Sequence, residues 1–346
     1  MLLYKYLSFL SIVSGAHSSL IPVDNIIPLI NPSPGVFSLK DNIVGHAFYS
    51  YFDWETFNDP THGRVNYVDK HTAISRNLTF ATENSFIMRA DDRNVVKSNS
   101  RGRDSNRIRS YSTFQDSVLV LDLQHMPHGC GTWPAFWTVT TGGWPDGGEI
   151  DIIEGVNNDY TNLVSLHTSP GCSMAPNRDQ SGTTRSTDCN AYASNNQGCG
   201  TSLTKRNSYG VSLNENKGGW YVMKRTQNDG VYVWYFPRND PTVPDEIRTG
   251  NPHIKPDEVN YGKPDARFPS SQSCDFKSHF GEHEIVFDLT FCGDWAGSTF
   301  AGSGCGRSCQ EYVDQNPQAF ADAYWEIKAL RVYTPESSLL SLPSLL

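Results

Sequence analysis

Short runs of β-branched and aromatic residues, separated by turns rich in glycine and proline, recur along most of the chain. They include 117–123, 219–223, 230–236 and 284–290. Such runs, with turn residues between them, are typical of the strands of a sandwich or a jelly roll. No break in composition divides the 346 residues, and no internal repeat is apparent. The sequence therefore predicts an all-β fold, a single β-sandwich domain of the jelly-roll type.

The segment 147–155 combines acidic residues with residues that favour buried strands. It reads Gly-Gly-Glu-Ile-Asp-Ile-Ile-Glu-Gly. Alternate residues of a strand share one face, which places Glu149 and Asp151 together. Glu154 falls out of phase by one residue. An extra residue bulged out at one of the two adjacent isoleucines would return it to that face, and bulges are common beside active sites.

The spacing of Glu149 and Glu154 indicates a type of chemistry. With one residue bulged out, they lie about four strand steps apart, roughly 13 Å. If each side chain leans about 4 Å inward, the carboxyl groups end roughly 5 Å apart, which is the separation in a retaining glycosidase. An inverting enzyme needs a wider gap that admits a water molecule. Taken alone, the acidic pattern is equally consistent with solvated charges on an exposed strand face.

Two other segments, one before and one after the acidic motif, each combine a cysteine with tryptophan. Residues 129–137 read Gly-Cys-Gly-Thr-Trp-Pro-Ala-Phe-Trp, and 291–297 read Phe-Cys-Gly-Asp-Trp-Ala-Gly. Residues 149–154 resemble the signature of glycoside hydrolase family 16, in the longer, bulge-containing form of laminarinase-type enzymes. The two other stretches resemble segments of secreted fungal endo-1,3(4)-β-glucanases. The resemblance extends from about residue 39 to residue 333.

The resemblance implies a jelly roll with a concave substrate cleft and a retaining mechanism. By position, Glu149 is then the nucleophile and Glu154 the general acid/base, while Asp151 hydrogen-bonds to the nucleophile and orients it. Two carboxyl groups close together push their pKa values apart, so that one can attack while the other holds a proton. This chemistry needs neither a metal ion nor an organic cofactor.

Tryptophans offer flat apolar surfaces on which sugar rings stack. The resemblance places Trp137, Trp144 and Trp295 along the cleft. Trp144 lies in the turn-rich loop 142–148, and binding residues are often found on loops. Three other tryptophans are embedded in apolar runs, and we expect them to fill the core: Trp220, Trp234 and Trp325.

Two further polar residues follow the alternation of predicted strands. His167 shares a face with Ser165, away from its apolar neighbours, and would either bond to the acid or the sugar or be an ordinary surface histidine. The match to the family favours the cleft role. Arg107 and Arg109 also share one face, where the family has an arginine at the non-reducing side of the cleft. Arg107 is the preferred of the two.

The two ends of the chain differ from the region between them. Residues 1–18 combine a positive charge, a short apolar core and a small-residue cleavage site, which is typical of a secretory signal peptide. A proline-rich leader, 19–38, precedes the predicted catalytic domain, 39–335, and a disordered tail, 336–346, follows it. We therefore expect a secreted, extracellular protein, with a usable glycosylation sequon at Asn77.

Charge and cysteine content restrict the partners. Eight cysteines in a secreted chain indicate disulfides, whose pairing stays open. A zinc site is disfavoured, because Cys305 and Cys309 are loosely spaced and no paired histidines follow. The net charge of −9 disfavours nucleic acid or an anionic membrane as partner and suits a neutral polysaccharide. We expect a monomer, with one helix over 317–325.

Together these features favour a retaining endo-β-glucanase acting on β-1,3 and mixed β-1,3/1,4 glucans. One alternative is a cell-wall transglycosylase, which would use the same nucleophile but pass the glycosyl group to a sugar. Such relatives more often carry a signature of five residues, whereas this chain has six. The other alternative is a non-catalytic β-glucan-binding protein. It is disfavoured because Glu149, Asp151 and Glu154 are all present.

Overall fold

A computed structural model describes residues 35–336 of the protein. The predicted signal peptide, 1–18, lies outside the described residues, as do the leader up to residue 34 and the tail from residue 337. The first strand begins at Phe37, so the folded part starts slightly before the predicted boundary at residue 39.

Strands predominate among the described residues, which confirms the all-β prediction. The strands are β1 (Phe37–Ile43), β2 (Phe52–Trp54), β3 (Val65–Tyr67), β4 (Thr79–Ala81), β5 (Phe86–Arg89), β6 (Arg103–Ser105), β7 (Arg107–Ser110), β8 (Ser117–His125), β9 (Thr132–Thr140), β10 (Glu149–Glu154), β11 (Leu163–His167), β12 (Thr183–Thr184), β13 (Cys199–Ser202), β14 (Gly219–Thr226), β15 (Gly230–Pro237), β16 (His253–Ile254), β17 (Ala266–Pro269), β18 (His283–Phe291) and β19 (Tyr324–Pro335). The α-helices are short: α1 (Phe48–Tyr51), α2 (Lys70–Ser75), α3 (Gly210–Glu215), α4 (Asp245–Thr249), α5 (Glu258–Tyr261), α6 (Phe276–His279) and α7 (Cys309–Gln315).

Two antiparallel sheets contain most of these strands. The back sheet has the order β16-β1-β19-β8-β14-β15-β17, and β5 with β4 joins it through β19. The front sheet has the order β12-β13-β11-β10-β9-β18-β7-β2. Strands β3 and β6 form a short parallel pair. Neighbours in both sheets are mostly distant in sequence, as in a jelly roll, so the predicted sandwich is confirmed.

The main core lies between the two sheets, because each contributes one apolar face. In β8, Leu119, Leu121 and Leu123 belong to this core, whereas Val118 and Val120 belong to a second cluster on the other face of the back sheet. Both faces of β8 are therefore covered, which explains why its apolar run is nearly continuous. The second cluster also contains residues of the segment between β15 and β17, namely Val243, Ile247, Ile254 and Tyr261.

The three tryptophans predicted to fill the core are buried. Trp325 is fully buried in the main core and donates from Nε1 to the carbonyl oxygen of Asp288 at 3.0 Å. Trp220 and Trp234 lie in the second cluster, where Trp234 donates to the carbonyl oxygen of Gly262 at 2.9 Å. The prediction that these rings serve the fold is confirmed.

All eight cysteines form disulfides, which confirms the expectation from their even number. The pairs are Cys130–Cys305, Cys172–Cys274, Cys189–Cys199 and Cys292–Cys309. Because Cys305 and Cys309 each have a disulfide partner, their spacing does not reflect a zinc site. The bond between Cys292 and Cys309 joins the residue after β18 to the start of α7.

The helix predicted over 317–325 is wrong. Pro317–Phe320 forms a 3₁₀ turn, and Trp325 belongs to β19, where it pairs with Met88 of β5. The apolar residues of this stretch enter two different clusters, so strand pairing and burial override the local helix propensity. Among the described helices, none has the length and apolar character needed to cross a membrane.

Removing a ring from the main core should destabilise the protein strongly. Phe287 is fully buried in β18, and its ring centre lies 4.5 Å from that of Phe136. Because Phe287→Ala leaves a cavity, we expect the free energy of unfolding to fall by about 3–5 kcal/mol in urea denaturation. Val259→Ala, at a residue that is 92% exposed, is the control and should change it by less than ~0.5 kcal/mol. Equal losses in the two variants would contradict the described core.

Candidate active site

The predicted bulge is present in β10, the strand that carries the three acids. β10 pairs with β9 on one side and with β11 on the other. In both pairings the register shifts after Asp151, and against β9 Ile152 is the extra residue. Ile152 and Ile153 are both fully buried in the main core. The bulge therefore returns Glu154 to the face of Glu149 and Asp151, as predicted.

A buried asparagine that was not among the predicted site residues holds this bulge. The side chain of Asn162 donates to the carbonyl oxygen of Ile152 at 2.7 Å and accepts from the backbone N–H of Glu154 at 3.0 Å. These bonds satisfy backbone groups that the bulge removes from the strand ladder. Asn162 lies in the polar loop after β10, and nothing in its local sequence marks this role.

Each glutamate of the site accepts a hydrogen bond from a tryptophan. Trp144 Nε1 donates to Glu149 Oε2 at 3.0 Å, and Trp133 Nε1 donates to Glu154 Oε1 at 2.8 Å. Asp151, between them, is 4% exposed, whereas both glutamates keep partial exposure. The structure thus brings the three predicted acids together. Trp133 also belongs to the site, although it was not among the predicted site residues. Only its position in the strand before the acids indicated that it could lie there.

His167 faces the acids from β11, where its backbone pairs with that of Glu149. Its Nε2 lies 3.4 Å from Asp151 Oδ2, and its Nδ1 lies 2.8 Å from Asn196 Oδ1. Burial alone would lower the pKa of His167, but the hydrogen bond and charge of Asp151, together with the two glutamates, raise it to about 10. The imidazole is therefore a buried cation at neutral pH.

The three acids share an environment that disfavours their simultaneous ionisation. Burial, followed by the charge of Asp151, raises the pKa of Glu149 and of Glu154 above the ordinary carboxyl value. The charge of His167 lowers both pKa values but does not cancel these effects. The site therefore favours states in which a glutamate keeps its proton, as general acid catalysis requires.

Arg107 is buried beside Trp137 on the front sheet. Its Nε lies 2.6 Å from Glu55 Oε2, and its Nη1 lies 3.4 Å from Asp288 Oδ2. Its guanidinium lies 4.8 Å from the centre of the Trp137 ring, and Trp137 Nε1 donates to the same oxygen of Asp288 at 2.9 Å. Arg107 and Arg109 share one face of β7, as predicted. Arg107 is only 6% exposed and anchors the indole ring of Trp137.

The other two predicted tryptophans border the same face. Trp295 lies in the short helical turn Gly293–Gly297, and its ring meets that of Trp133 edge-on, with ring centres 5.6 Å apart. Trp144 is 45% exposed while it bonds to Glu149. Aromatic surfaces therefore flank both glutamates, an arrangement that suits a sugar ring.

Glu149, Asp151 and His167 are also grouped closely enough to be considered as metal ligands. One oxygen or nitrogen of each lies within 4.8 Å of the others. A protonated imidazole has no lone pair to offer a metal, and the pKa of His167, raised to about 10, keeps that proton in place at neutral pH. The cluster therefore fits an ion-paired catalytic group better than a metal site.

Asn77, the predicted glycosylation residue, follows α2 and is exposed. Its side chain is therefore accessible to a glycan. Attachment at this residue stays a prediction.

Paired carboxyl groups on a bulged strand, bordered by tryptophans on one face of a β-sandwich, define a class of glycoside hydrolases. A family model described as "XgeA-like, catalytic GH16 domain" matches residues 52–333. The chain belongs to glycoside hydrolase family 16 and carries its catalytic domain.

Named relatives of the chain are fungal. A probable glycosidase of Schizosaccharomyces pombe is 42% identical over 301 residues, which cover 86% of this chain and 69% of the relative. A probable endo-1,3(4)-beta-glucanase of Aspergillus fumigatus is 40% identical over 309 residues, which cover 86% of this chain and 45% of the relative. The chain thus spans less than half of the second, longer protein.

Solved structures match the fold over the same share of the chain. Laminarinase 16A from Phanerochaete chrysosporium, with 6-O-glucosyl-laminaritriose in donor and acceptor sites, matches with a TM-score of 0.84 and 49% identity. An elongating family 16 beta-1,3-glucosyltransferase matches with a TM-score of 0.79 and 38% identity. Each match covers 86% of this chain and 100% of the other. The predicted jelly roll is thereby confirmed.

Removing the asparagine that holds the bulge should destabilise the site. Asn162→Ala leaves a buried carbonyl group and a buried N–H group of β10 without partners, so we expect the free energy of unfolding to fall by about 2–4 kcal/mol. Urea denaturation measures the change. Tyr160→Ala, in the same loop and 63% exposed, is the control and should change it by less than ~0.5 kcal/mol. Unchanged stability in Asn162→Ala would contradict the role assigned to this side chain.

Proposed function

We propose that this chain is a retaining endo-β-glucanase that hydrolyses β-1,3 and mixed β-1,3/1,4 glucans. The observation that carries the proposal is the placement of Glu149, Asp151 and Glu154 on one face of the bulged strand β10. Relatives named endo-1,3(4)-beta-glucanase and laminarinase, matched over 86% of this chain, support the choice of substrate.

In the proposed reaction Glu149 attacks the anomeric carbon while Glu154 protonates the leaving oxygen. The surroundings of the two groups support this division of roles. Burial and the charge of Asp151 raise the pKa of Glu149 to about 8, while the charges of His167 and Arg107 oppose this rise and favour the ionised form. Burial and the charge of Asp151 raise the pKa of Glu154 well above its ordinary value, and the charge of Glu149 adds to this rise and favours the protonated form. Glu149 is therefore the better nucleophile and Glu154 the better acid.

The second half of the reaction uses the same residues in reverse. Glu154, now ionised, removes a proton from water, and the water oxygen displaces Glu149 from the anomeric carbon with net retention. Asp151 is buried between the two glutamates and lies 3.4 Å from His167, so it has little freedom to move. We assign to Asp151 the orientation of the nucleophile. No step needs a metal ion or an organic cofactor.

Substrate binding is assigned to the aromatic face of the front sheet. Trp137, Trp144 and Trp295 present rings on which glucosyl units can stack. Arg107 and Asp288 hold the Trp137 ring from two sides, which reduces the entropy lost when a sugar binds to it. We assign to Arg107 this supporting role on the non-reducing side of the cleft.

A second candidate activity is transglycosylation, in which a sugar hydroxyl replaces water in the second step. It is favoured by the 38% identity to an elongating beta-1,3-glucosyltransferase. Incubation with defined laminarioligosaccharides separates the two activities, since products longer than the donor appear only if transfer competes with hydrolysis. A purely glucan-binding role is disfavoured, because all three acids are present and brought together.

An extracellular location is proposed as well. Four disulfides persist best in an oxidising compartment, and residues 1–18 have the composition of a secretory signal. Asn77 is exposed and would then be glycosylated. We propose that the secreted protein acts as a monomer on the polysaccharide.

Removing the nucleophile should separate catalysis from binding. Glu149→Ser is expected to reduce laminarin hydrolysis by at least ~10³-fold, because no covalent intermediate can form, while glucan binding persists on the aromatic face. Reducing-end release and affinity electrophoresis in laminarin gels measure the two properties. Glu83→Ser, at an exposed turn, serves as the control. Hydrolysis by Glu149→Ser at a rate close to that of Glu83→Ser would refute the assignment.

Removing the acid/base should leave a reaction that depends on the leaving group. Glu154→Ala should cleave laminarin poorly but form the glycosyl-enzyme readily from an activated aryl β-glucoside of a laminari-oligosaccharide, whose leaving group departs without protonation. Azide should then restore turnover and give a β-glycosyl azide, identified by NMR. An α-azide would show inversion and exclude the double displacement.

A further inference from the structure

Three consecutive residues of the loop before β13 have a backbone conformation that residues with side chains rarely adopt. Ser194, Asn195 and Asn196 have φ angles of 49°, 55° and 59°, which form a left-handed turn. This conformation is disfavoured for L-residues, although asparagine tolerates it better than most. Residues in such conformations persist only where their surroundings impose them, and they are concentrated at functional sites.

The surroundings of this turn are a disulfide and the front sheet. Cys189 and Cys199 close the loop, and both are fully buried. Cys199 begins β13 and pairs with Leu166, the residue next to His167 in β11. The end of the loop is therefore fixed beside the histidine of the active site, on the opposite side of β10 from Arg107.

Two residues of the loop hold the imidazole of His167. Asn196 Oδ1 lies 2.8 Å from Nδ1 of the ring. Gly198, with a φ angle of 62°, packs against the ring so closely that a Cβ atom there would lie 2.7 Å from Cε1 and 2.8 Å from Nε2. The ring is thus bonded at one nitrogen and packed against a position that admits only glycine.

We propose that Asn196 is a positioning residue for catalysis: it accepts a hydrogen bond from Nδ1–H of His167 and so keeps Nε2 directed at Asp151. The left-handed turn is the backbone conformation that brings Asn196 to this atom. This inference rests on the function proposed above, and it adds a residue of a neighbouring loop to the groups that control the acids of β10.

The consequence for catalysis is a change in the position of a charge near the nucleophile. The groups that face His167 are Asp151, Glu149 and Glu154 of β10, whose charges favour the cation, and Asn196 of the loop, which accepts from Nδ1–H. Without Asn196, the Nδ1–H of a ring that is only 7% exposed loses its acceptor, which lowers the pKa of His167. The unanchored ring also moves away from the acids, so its charge lowers the pKa of Glu149 less than before, and that pKa rises. Because Glu149 must be ionised to attack, the acid limb of the pH–rate profile moves to higher pH.

The test compares Asn196→Ala, Asn196→Asp and the matched control Asn195→Ala. Asn195 lies in the same turn and is exposed, so its replacement has the same backbone cost without touching His167. Asn196→Ala should lower kcat/KM on laminarin about five- to tenfold and raise the acid limb by ~0.5 pH unit or more. Asn195→Ala should stay within about twofold of wild type. Asn196→Asp keeps an oxygen acceptor and adds a negative charge beside the ring, so the pKa of His167 should lie at or above that of wild type.

A second measurement does not depend on turnover. NMR titration of His167, identified by the signal that disappears in His167→Gln, should give a lower pKa in Asn196→Ala than in wild type or in Asn195→Ala. Coinciding pH profiles and coinciding His167 titrations in Asn196→Ala and Asn195→Ala would overturn the proposal, as would a fall of the His167 pKa in Asn196→Asp equal to that in Asn196→Ala. If wild type fails to hydrolyse laminarin while the His167 titrations differ as expected, the proposed function is at fault instead.

Discussion

One extra residue in β10 is the constraint on which the active site depends. In a regular strand, residues five positions apart point to opposite faces, so Glu149 and Glu154 would be separated by the sheet. The bulge lets Ile152 and Ile153 both enter the core, and Asn162 satisfies the backbone groups that the bulge frees. Burial of two isoleucines thus places a polar site on the opposite face.

The charges of that site are balanced by groups from outside β10. Three acids at close range would repel one another, and the buried cation of His167 reduces this repulsion. The ring is in turn bonded to the neighbouring loop at Asn196. Arg107 has a comparable position on the other side, where Glu55 and Asp288 hold it beside an indole ring. The protonation state of the glutamates is therefore a property of several strands together.

The features that could be predicted are those with a short-range cause. The bulge and the shared face of Glu149 and Asp151 follow from strand periodicity. Alternation also gives the face of His167, but its role in the cleft follows from the resemblance to the family. Trp133 belongs to a segment that resembles the family, yet no local sequence pattern indicates its hydrogen bond to Glu154. The helix expected over 317–325 failed because Trp325 pairs in the back sheet and packs in the main core, and neither contact can be read from spacing.

The sequence by itself determined the all-β architecture, the strand that carries the acids and the family to which the chain belongs. Alternation with a period of two and a compact motif are properties of neighbouring residues, so both can be recognised in the sequence without knowledge of the fold. Only the tertiary structure decided which cysteines pair, that Asn162 holds the bulge, and that Asn196 holds His167. These contacts join segments that are separated along the chain, and packing of the two sheets, rather than any local pattern, selects them.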